Sequence, residues 1–200
     1  MKVRFIYINL VVALLWTCRI HGQSDSLAFT GLELSGFNNS TSLFGFFKLP
    51  IHPGVRIAGT WNVDKNKRQF PVIDVNGGYY FQAYAHHGIQ LYGTVNYICI
   101  PEKKFLLIPG IGLGSMVTIP DVDVWKLNEN GDYENISGIR VQLTTHVQCK
   151  LGYRAPNQWS VFLMPQFWLH MPYVNSYVPV LPNSSIHLGI SIPAKILLKK

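Results

Sequence analysis

One stretch of the chain, residues 139–153, alternates apolar and polar side chains almost without a break. Odd positions carry Ile, Val, Leu, Thr, Val, Cys, Leu and Tyr, and even positions carry Arg, Gln, Thr, His, Gln, Lys and Gly. Because successive side chains of a strand point to opposite faces, the stretch predicts a strand with one apolar and one polar side. It is longer than the ~5–6 residues of an ordinary strand, whereas a strand that crosses a bilayer needs ~9–11. The pattern therefore predicts a transmembrane β-barrel.

The first residues predict a secretory signal peptide rather than a part of the fold. A short basic segment at the N-terminus is followed by an apolar segment, residues 5–16, that is too short to cross a bilayer as a helix. We place the cleavage site after Gly22. Residues 1–22 are then the signal peptide, and residues 23–200 form a single β-barrel domain.

Charged residues are scarce in this chain. They make up 14% of the sequence, against roughly 25% in a typical soluble domain. Removal of residues 1–22 takes away Lys2, Arg4 and Arg19 and no acidic residue, so the net charge falls from +7 to +4. This mild basicity is scattered along the chain without a dense patch, which argues against a nucleic-acid partner.

Turn residues and alternation divide the mature chain into eight predicted strands. These are residues 27–37, 42–49, 55–63, 89–99, 105–119, 138–153, 159–171 and 185–193. Residues 72–85 could form a ninth strand by β-propensity alone. We leave residues 64–88 out of the strand count, because a closed bacterial barrel has an even number of strands and both termini in the periplasm. We expect residues 64–88 to form a long outer loop with a short helix over residues 79–87.

The same count assigns every connection to one side of the membrane, since such barrels have short periplasmic turns and long outer loops. The predicted periplasmic turns are 50–54, 100–104 and 154–157. The predicted outer connections are 38–41, 64–88, 120–137 and 172–184. The predicted fold class is all-β, an eight-stranded antiparallel up-and-down transmembrane β-barrel with long outer loops.

Aromatic residues support the assignment of the periplasmic side. They lie at strand ends beside the predicted periplasmic turns and belong to the apolar faces of their strands. Rings gather at membrane interfaces because their bodies are apolar and their tips tolerate water. The predicted periplasmic aromatic girdle consists of Tyr97, Phe105, Tyr153 and Trp159.

Polar side chains on the opposite strand faces are predicted to fill the lumen. An eight-stranded barrel is just wide enough for side chains to occupy its interior, so we expect a polar plug and no wide pore. The predicted lumen-facing residues are Arg56, Asn96, Arg140, Gln142, His146, Lys150, Gln166, His170 and His187. Gly110, Gly112 and Gly114 share the inward face of one strand, where they leave room for long side chains opposite.

Two segments resemble a known group of proteins. They are residues 108–114 (Ile-Pro-Gly-Ile-Gly-Leu-Gly) and the last strand, residues 186–193 (Ile-His-Leu-Gly-Ile-Ser-Ile-Pro). Together with the strand pattern over residues 27–197, they resemble the small outer-membrane β-barrels of the OmpA/OmpX or porin-like type from Gram-negative bacteria. Barrels of this type usually end in a strand with a glycine and a terminal aromatic residue. Gly189 is in place, but residues 197–200 carry no aromatic residue.

The resemblance implies an outer-membrane location, with membrane lipid as a partner and lipopolysaccharide or surface ligands at the outer loops. One outer loop is acidic and holds half of the chain's 10 acids beside a single basic residue, Lys126. Its acids are Asp121, Asp123, Glu129, Asp132 and Glu134. Long loops tend to carry binding functions, although like charges also keep a loop tip soluble. The favoured function is a structural, adhesion or surface-binding role.

Two alternatives remain open at this point. The first is an outer-membrane lipid-modifying enzyme, an acyl hydrolase or transferase, with a histidine base (His86, His87 or His170), a hydroxyl (Ser176 or Ser184) and an orienting acid (Asp74 or Asp121). No spacing joins these residues into a motif, so the sequence assigns no catalytic residue, no metal site and no cofactor. The second is a secreted, soluble lipocalin-like lipid binder, which the Asn-x-Ser/Thr sequons at Asn38, Asn39, Asn135 and Asn183 would suit.

Overall fold

The computed structural model describes residues 28–42, 44–46, 49–63, 71–83, 85–99, 104–123, 125–128, 130–135, 137–156, 159–172 and 180–197. The predicted signal peptide, residues 1–22, lies outside these residues. Within the described ranges, no helix has the length and apolar character that a membrane span requires.

Most of the described chain is strand. The strands are β1 (Ala28–Ser40), β2 (His52–Asn62), β3 (Pro71–Gln82), β4 (His86–Tyr97), β5 (Phe105–Pro120), β6 (Trp125–Leu127), β7 (Tyr133–Asn135), β8 (Arg140–Arg154), β9 (Ser160–Met171) and β10 (Leu181–Pro193). One helical turn, α1 (Ala194–Leu197), follows β10. Eight strands close into a barrel in the order β1-β10-β9-β8-β5-β4-β3-β2, and β6 and β7 form a separate two-stranded sheet. The prediction of an eight-stranded antiparallel up-and-down barrel is confirmed.

Two of the predicted segments are wrong, and the two errors cancel in the strand count. Residues 64–88 are not one outer loop with a helix, since they contain β3 and a tight turn in which the Ala85 amide bonds the Gln82 carbonyl at 3.0 Å. The predicted strand at residues 42–49 forms turns and bends where it is described. Phe44 has a φ of 66°, which lies in the left-handed region and is incompatible with an extended strand.

The corrected strands change which connections lie at each end of the barrel. At the end that holds Ala28 and α1, called the terminal end, lie the connections β2–β3, β4–β5 and β8–β9. At the opposite end, called the loop end, lie the connections β1–β2, β3–β4, β5–β8 and β9–β10. The turn 50–54 was expected at the terminal end and lies at the loop end. The connections 100–104, 154–157, 120–137 and 172–184 lie at the ends predicted for them.

The two faces of the wall are opposite in character to those of a soluble protein. Leu113 and Leu188 on the outer face are 71% and 69% exposed, whereas Arg56 and Asp74 on the inner face are 1% and 0% exposed. Aliphatic residues cover the outside along every barrel strand, among them Leu34, Ile57, Val75, Leu91, Leu143, Leu163 and Ile190. A soluble lipocalin-like barrel needs an apolar inside and a polar outside, so this arrangement contradicts that alternative.

Glycines on the inner face of β5 give the neighbouring β4 side chains their space. A Cβ atom added at Gly112 would lie 2.5 Å from Thr94 Cγ2 and 2.6 Å from the Gly93 carbonyl oxygen. Because the second contact is with backbone, it cannot be relieved by a rotamer change. A Cβ atom added at Gly110 would crowd Asn96 Oδ1, and one added at Gly114 would crowd Tyr92 Cβ. The glycines of β5 therefore leave the space that the polar side chains of β4 occupy in the lumen.

We expect Gly112→Ala to lower the free energy of unfolding by about 1–3 kcal/mol, because it forces β4 and β5 apart. Gly77→Ala is the matched control, since a Cβ there meets only Ile57 Cγ2, at an ordinary 3.7 Å. Both substitutions reduce the backbone freedom of the unfolded chain equally. The difference between their unfolding free energies therefore reports the crowding at Gly112 alone. Urea unfolding of the refolded barrel, followed by its heat-modifiable gel migration, measures the difference. Equal stabilities for the two variants would contradict the packing described.

Candidate functional site: the lumen and the loop end

Four charged side chains form a compact cluster in the lumen. The ammonium group of Lys150 donates to both carboxylate oxygens of Glu33 at 2.8 Å and to Asp74 Oδ2 at 2.6 Å. Arg56 donates from Nη2 to Glu33 Oε2 at 3.0 Å. Two cations thus face two anions, and all four side chains are buried. Burial of charge is tolerated when the charges are paired and hydrogen-bonded in this way.

A chain of amides extends the cluster along the lumen. Asn96 Nδ2 donates to Asp74 Oδ2 at 2.8 Å, and Gln148 Nε2 donates to Asn96 Oδ1 at 2.8 Å. Gln166 Nε2 in turn donates to Gln148 Oε1 at 3.2 Å. These bonds connect β3, β4, β8 and β9 through the lumen, so the polar filling also crosslinks the wall.

Histidines and aromatic rings form the next layers toward the loop end. His146 and His187 both contact Gln166, at 3.2 Å and 3.0 Å, and the His146 ring stacks on Tyr92 with 3.9 Å between the ring centroids. Beyond them lies a buried apolar cluster of Phe37, Tyr80, Met116 and Trp168. The lumen is therefore closed by successive ionic, amide and aromatic layers.

The structure places eight of the nine predicted lumen residues as buried side chains on inward faces: Arg56, Asn96, Gln142, His146, Lys150, Gln166, His170 and His187. Arg140 is exposed, because it is the first residue of β8 and lies at the rim. Sequence reasoning missed both acids of the ionic cluster. The inward position of Glu33 could have been predicted, since it shares the parity of Gly31 and Ser35 on the inner face of β1. Asp74 was considered as a partner for a histidine and instead bonds Lys150, because the segment around it is a strand.

A cavity of about 220 Å³ opens below the ionic cluster at the terminal end. Glu33, Asn96, Lys150 and Phe162 lie at its inner side. Its lining also includes Thr30, Arg154 and Pro193, so among the described residues the cavity extends from the ionic cluster to the terminal end.

The four predicted girdle residues all lie at the terminal end with exposed rings: Tyr97, Phe105, Tyr153 and Trp159. Phe105 and Tyr153 contact each other edge to face, with 5.5 Å between the ring centroids. A second outer-face pair at the same end, Phe29 and Trp61, has its centroids 5.6 Å apart. Sequence reasoning missed this pair, although Trp61 shares the outward parity of Ile57.

The acidic loop lies at the loop end and contains the β6–β7 hairpin. Asp121, Asp123, Asp132 and Glu134 are exposed there, and Glu129 lies outside the described residues. Asp121 Oδ1 is 3.6 Å from His87 Nε2. This contact ties the base of the loop to the rim of β4.

Among the described residues, the contacts of His87 and Ser184 do not join a histidine base to a serine nucleophile. The Nδ1 atom of His87 contacts the Tyr79 hydroxyl at 2.9 Å, so its hydroxyl neighbour is a phenol on the same outer face. Ser184 is buried on the outer side of β10, where it accepts a hydrogen bond from the Gly45 amide at 3.1 Å. Ser176 lies outside the described residues. Among the residues that the structure describes, no group of three His, Cys, Asp or Glu could hold a metal ion.

The barrel is similar to solved outer-membrane structures. Neisserial surface protein A (NspA) matches with a TM-score of 0.58 and 11% sequence identity, over 84% of this chain and 99% of NspA. The outer membrane enzyme PagL matches with a TM-score of 0.45 and 14% identity, over 80% of this chain and 99% of PagL. The N-terminal β-barrel domain of Pseudomonas aeruginosa OprF matches with a TM-score of 0.42 and 11% identity, over 81% of this chain and 99% of that domain. No family model and no curated protein matches the chain. The chain thus has the fold of the small eight-stranded outer-membrane β-barrels.

Removal of one cation from the ionic cluster tests how far the barrel depends on it. We expect Lys150→Met to lower the free energy of unfolding by about 3–5 kcal/mol, because it leaves Glu33 and Asp74 with only Arg56 as a cation. The double variant Lys150→Met/Glu33→Gln restores the balance of one cation and one anion, and we expect it to be less destabilised than Lys150→Met alone. Urea unfolding in detergent micelles measures these two variants and Glu33→Gln alone. If the change in unfolding free energy of the double variant equals the sum of the changes in the two single variants, the pairing of Lys150 with Glu33 is contradicted.

Proposed function

We propose that this protein is a barrel of the bacterial outer membrane that anchors a surface-binding structure and does not conduct solutes through a wide pore. The observation that carries the proposal is the reversed wall, with exposed aliphatic side chains outside and buried ion pairs inside. Only a surrounding lipid phase gives such an outer face a stabilising environment, because apolar area of this extent is costly in water.

The two ends of the barrel suggest its orientation. The terminal end carries short connections and the aromatic girdle, which suits the periplasmic interface. The loop end carries the longest described connection, residues 121–139, and faces outward in this orientation. The proposed partners are membrane lipid and lipopolysaccharide along the wall and surface ligands at the loop end. A cleaved signal peptide at residues 1–22 is the export signal that this location requires.

A structural or adhesive role fits the layers of the lumen better than transport. The ionic cluster and the aromatic cluster lie one behind the other, so a solute would have to displace both. An eight-stranded barrel offers no further width for a passage around them.

Single cysteines test the proposed orientation. In a background with Cys99→Ser and Cys149→Ser, Asn130→Cys marks the loop end and Lys104→Cys marks the terminal end, and both native residues are exposed. We expect a membrane-impermeant maleimide to label Asn130→Cys on intact cells and to label Lys104→Cys only after the outer membrane is opened. The opposite result would invert the topology and place the loop end in the periplasm.

Planar bilayer recordings test the closed lumen. Because charged and aromatic layers fill it, we expect the purified protein to give no stable open conductance across a range of voltages. A porin measured in the same membrane serves as the control for insertion and detection. Steady channel openings of the native protein would show that the layers move aside and would contradict the proposed non-conducting role.

A further inference from the structure

The described residues between β5 and β8 include a small hairpin of β6 and β7. β6 and β7 pair in the register Trp125↔Asn135, Lys126↔Glu134 and Leu127↔Tyr133. The turn between them is organised by Asn128, whose Oδ1 accepts from the amides of Asn130 at 3.0 Å and Asp132 at 2.9 Å. These bonds hold the hairpin in one shape, which reduces the entropy lost when a partner binds.

One face of this hairpin is apolar and exposed. Trp125 and Leu127 are two positions apart on β6 and share a face, and Tyr133 pairs directly with Leu127. The three side chains are 56%, 55% and 73% exposed. Aromatic residues exposed together on an ordered element are characteristic of protein interfaces, where Trp and Tyr supply much of the binding energy.

The hairpin also carries the opposite charge to the rest of the protein. Residues 121–139 contain five acids and one lysine, whereas the chain without residues 1–22 has a net charge of +4. Asp123, Asp132 and Glu134 are exposed on and beside the hairpin. Such a concentration of carboxylates attracts cationic partners and repels anionic surfaces such as lipid phosphates.

A groove at the base of the hairpin has the chemistry of a site for a basic side chain. Its volume is about 340 Å³, and its lining includes the apolar residues Ile119, Val122 and Ile139 beside the carboxylates of Asp121 and Asp123. Lysine and arginine place their methylene groups along apolar surface while the charged head stays in a polar environment. A carboxylate beside an apolar wall meets both requirements.

We propose that the hairpin and this groove form a docking surface for a basic polypeptide segment that also carries apolar side chains. A lysine or arginine of the partner enters the groove, and neighbouring apolar residues pack on Trp125, Leu127 and Tyr133. This inference rests on the proposed function, since it gives a partner class to the end of the barrel that faces outward.

Three labelled peptides test the surface on the full-length mature protein in phosphatidylcholine nanodiscs. The first has four lysines and two leucines in a Gly/Ser background, the second replaces lysine with glutamate, and the third replaces leucine with serine. We expect fluorescence anisotropy to show binding of the first peptide, weakening as salt is raised, and weaker binding of the other two.

Variants of the hairpin identify the contacts. We expect Tyr133→Ala, and separately Asp123→Asn/Glu134→Gln, to weaken binding of the lysine–leucine peptide by about tenfold. The amide oxygen of Asp123→Asn can still accept the hydrogen bond that Asn135 donates to Asp123 at 3.1 Å, so the hairpin is preserved. Tyr97→Ala is the matched control, because Tyr97 is a 50% exposed tyrosine at the opposite end of the barrel.

Three results would overturn the inference: equal binding of the glutamate peptide, unchanged binding by Tyr133→Ala, or binding of anionic phosphatidylglycerol vesicles in place of the lysine peptide. The cysteine labelling separates this failure from failure of the proposed function. If Asn130→Cys is labelled on intact cells and the peptides do not bind, the inference fails and the orientation stands. If Asn130→Cys is not labelled, the proposed function fails whatever the peptides do.

Discussion

Closure of the sheet between β1 and β10 is the constraint on which the other features of this protein depend. The two strands pair antiparallel from Gly31 opposite Pro193 to Ser40 opposite Ser184, so every barrel strand has a neighbour on both sides. A closed sheet leaves no row of unpaired amide and carbonyl groups, which is the condition for a β-structure to stand in lipid. Closure also divides the side chains into an outer set that meets lipid in the proposed location and an inner set with no access to it.

The inner set then has to satisfy its own polar groups. The barrel does this by placing its few charged residues in opposite pairs, with Lys150 between Glu33 and Asp74 and Arg56 against Glu33. In the proposed location, the low charge content of the chain follows from this division, because a wall that meets lipid needs no charge. Of the 10 acids in the sequence, two are in the ionic cluster and five are in the loop 121–139.

The two ends of the barrel differ in the features they carry. The terminal end is dominated by short connections and outward-facing rings, which position a barrel at a membrane interface. The loop end holds an ordered hairpin whose exposed Trp125, Leu127 and Tyr133 contribute nothing to the packing of the lumen. For the binding role proposed above, a plugged barrel is a suitable base for such a hairpin, since binding residues are held best on an element that does not move.

The sequence by itself determined the two-faced strands and the face on which most of the lumen residues lie, whereas its strand count of eight is right only because the two segment errors cancel. Alternation is a property of neighbouring residues, so it predicts that Arg56, His146 and Lys150 share an inner face without any knowledge of their partners. It also predicts that Tyr97 and Tyr153 point outward at the same end.

Only the tertiary structure decided which segments pair and which charges meet. Strand-like composition occurs both in residues 42–49 and in residues 71–82. Of the described residues in these two segments, only residues 71–82 form a barrel strand, because β3 pairs in register with both β2 and β4. Lys150 and Glu33 are 117 residues apart in the chain. Their contact depends on the shear of the closed sheet, which sets the height at which each inward side chain enters the lumen. Local alternation fixes the face of a residue, whereas its partner across the lumen is a property of the whole barrel.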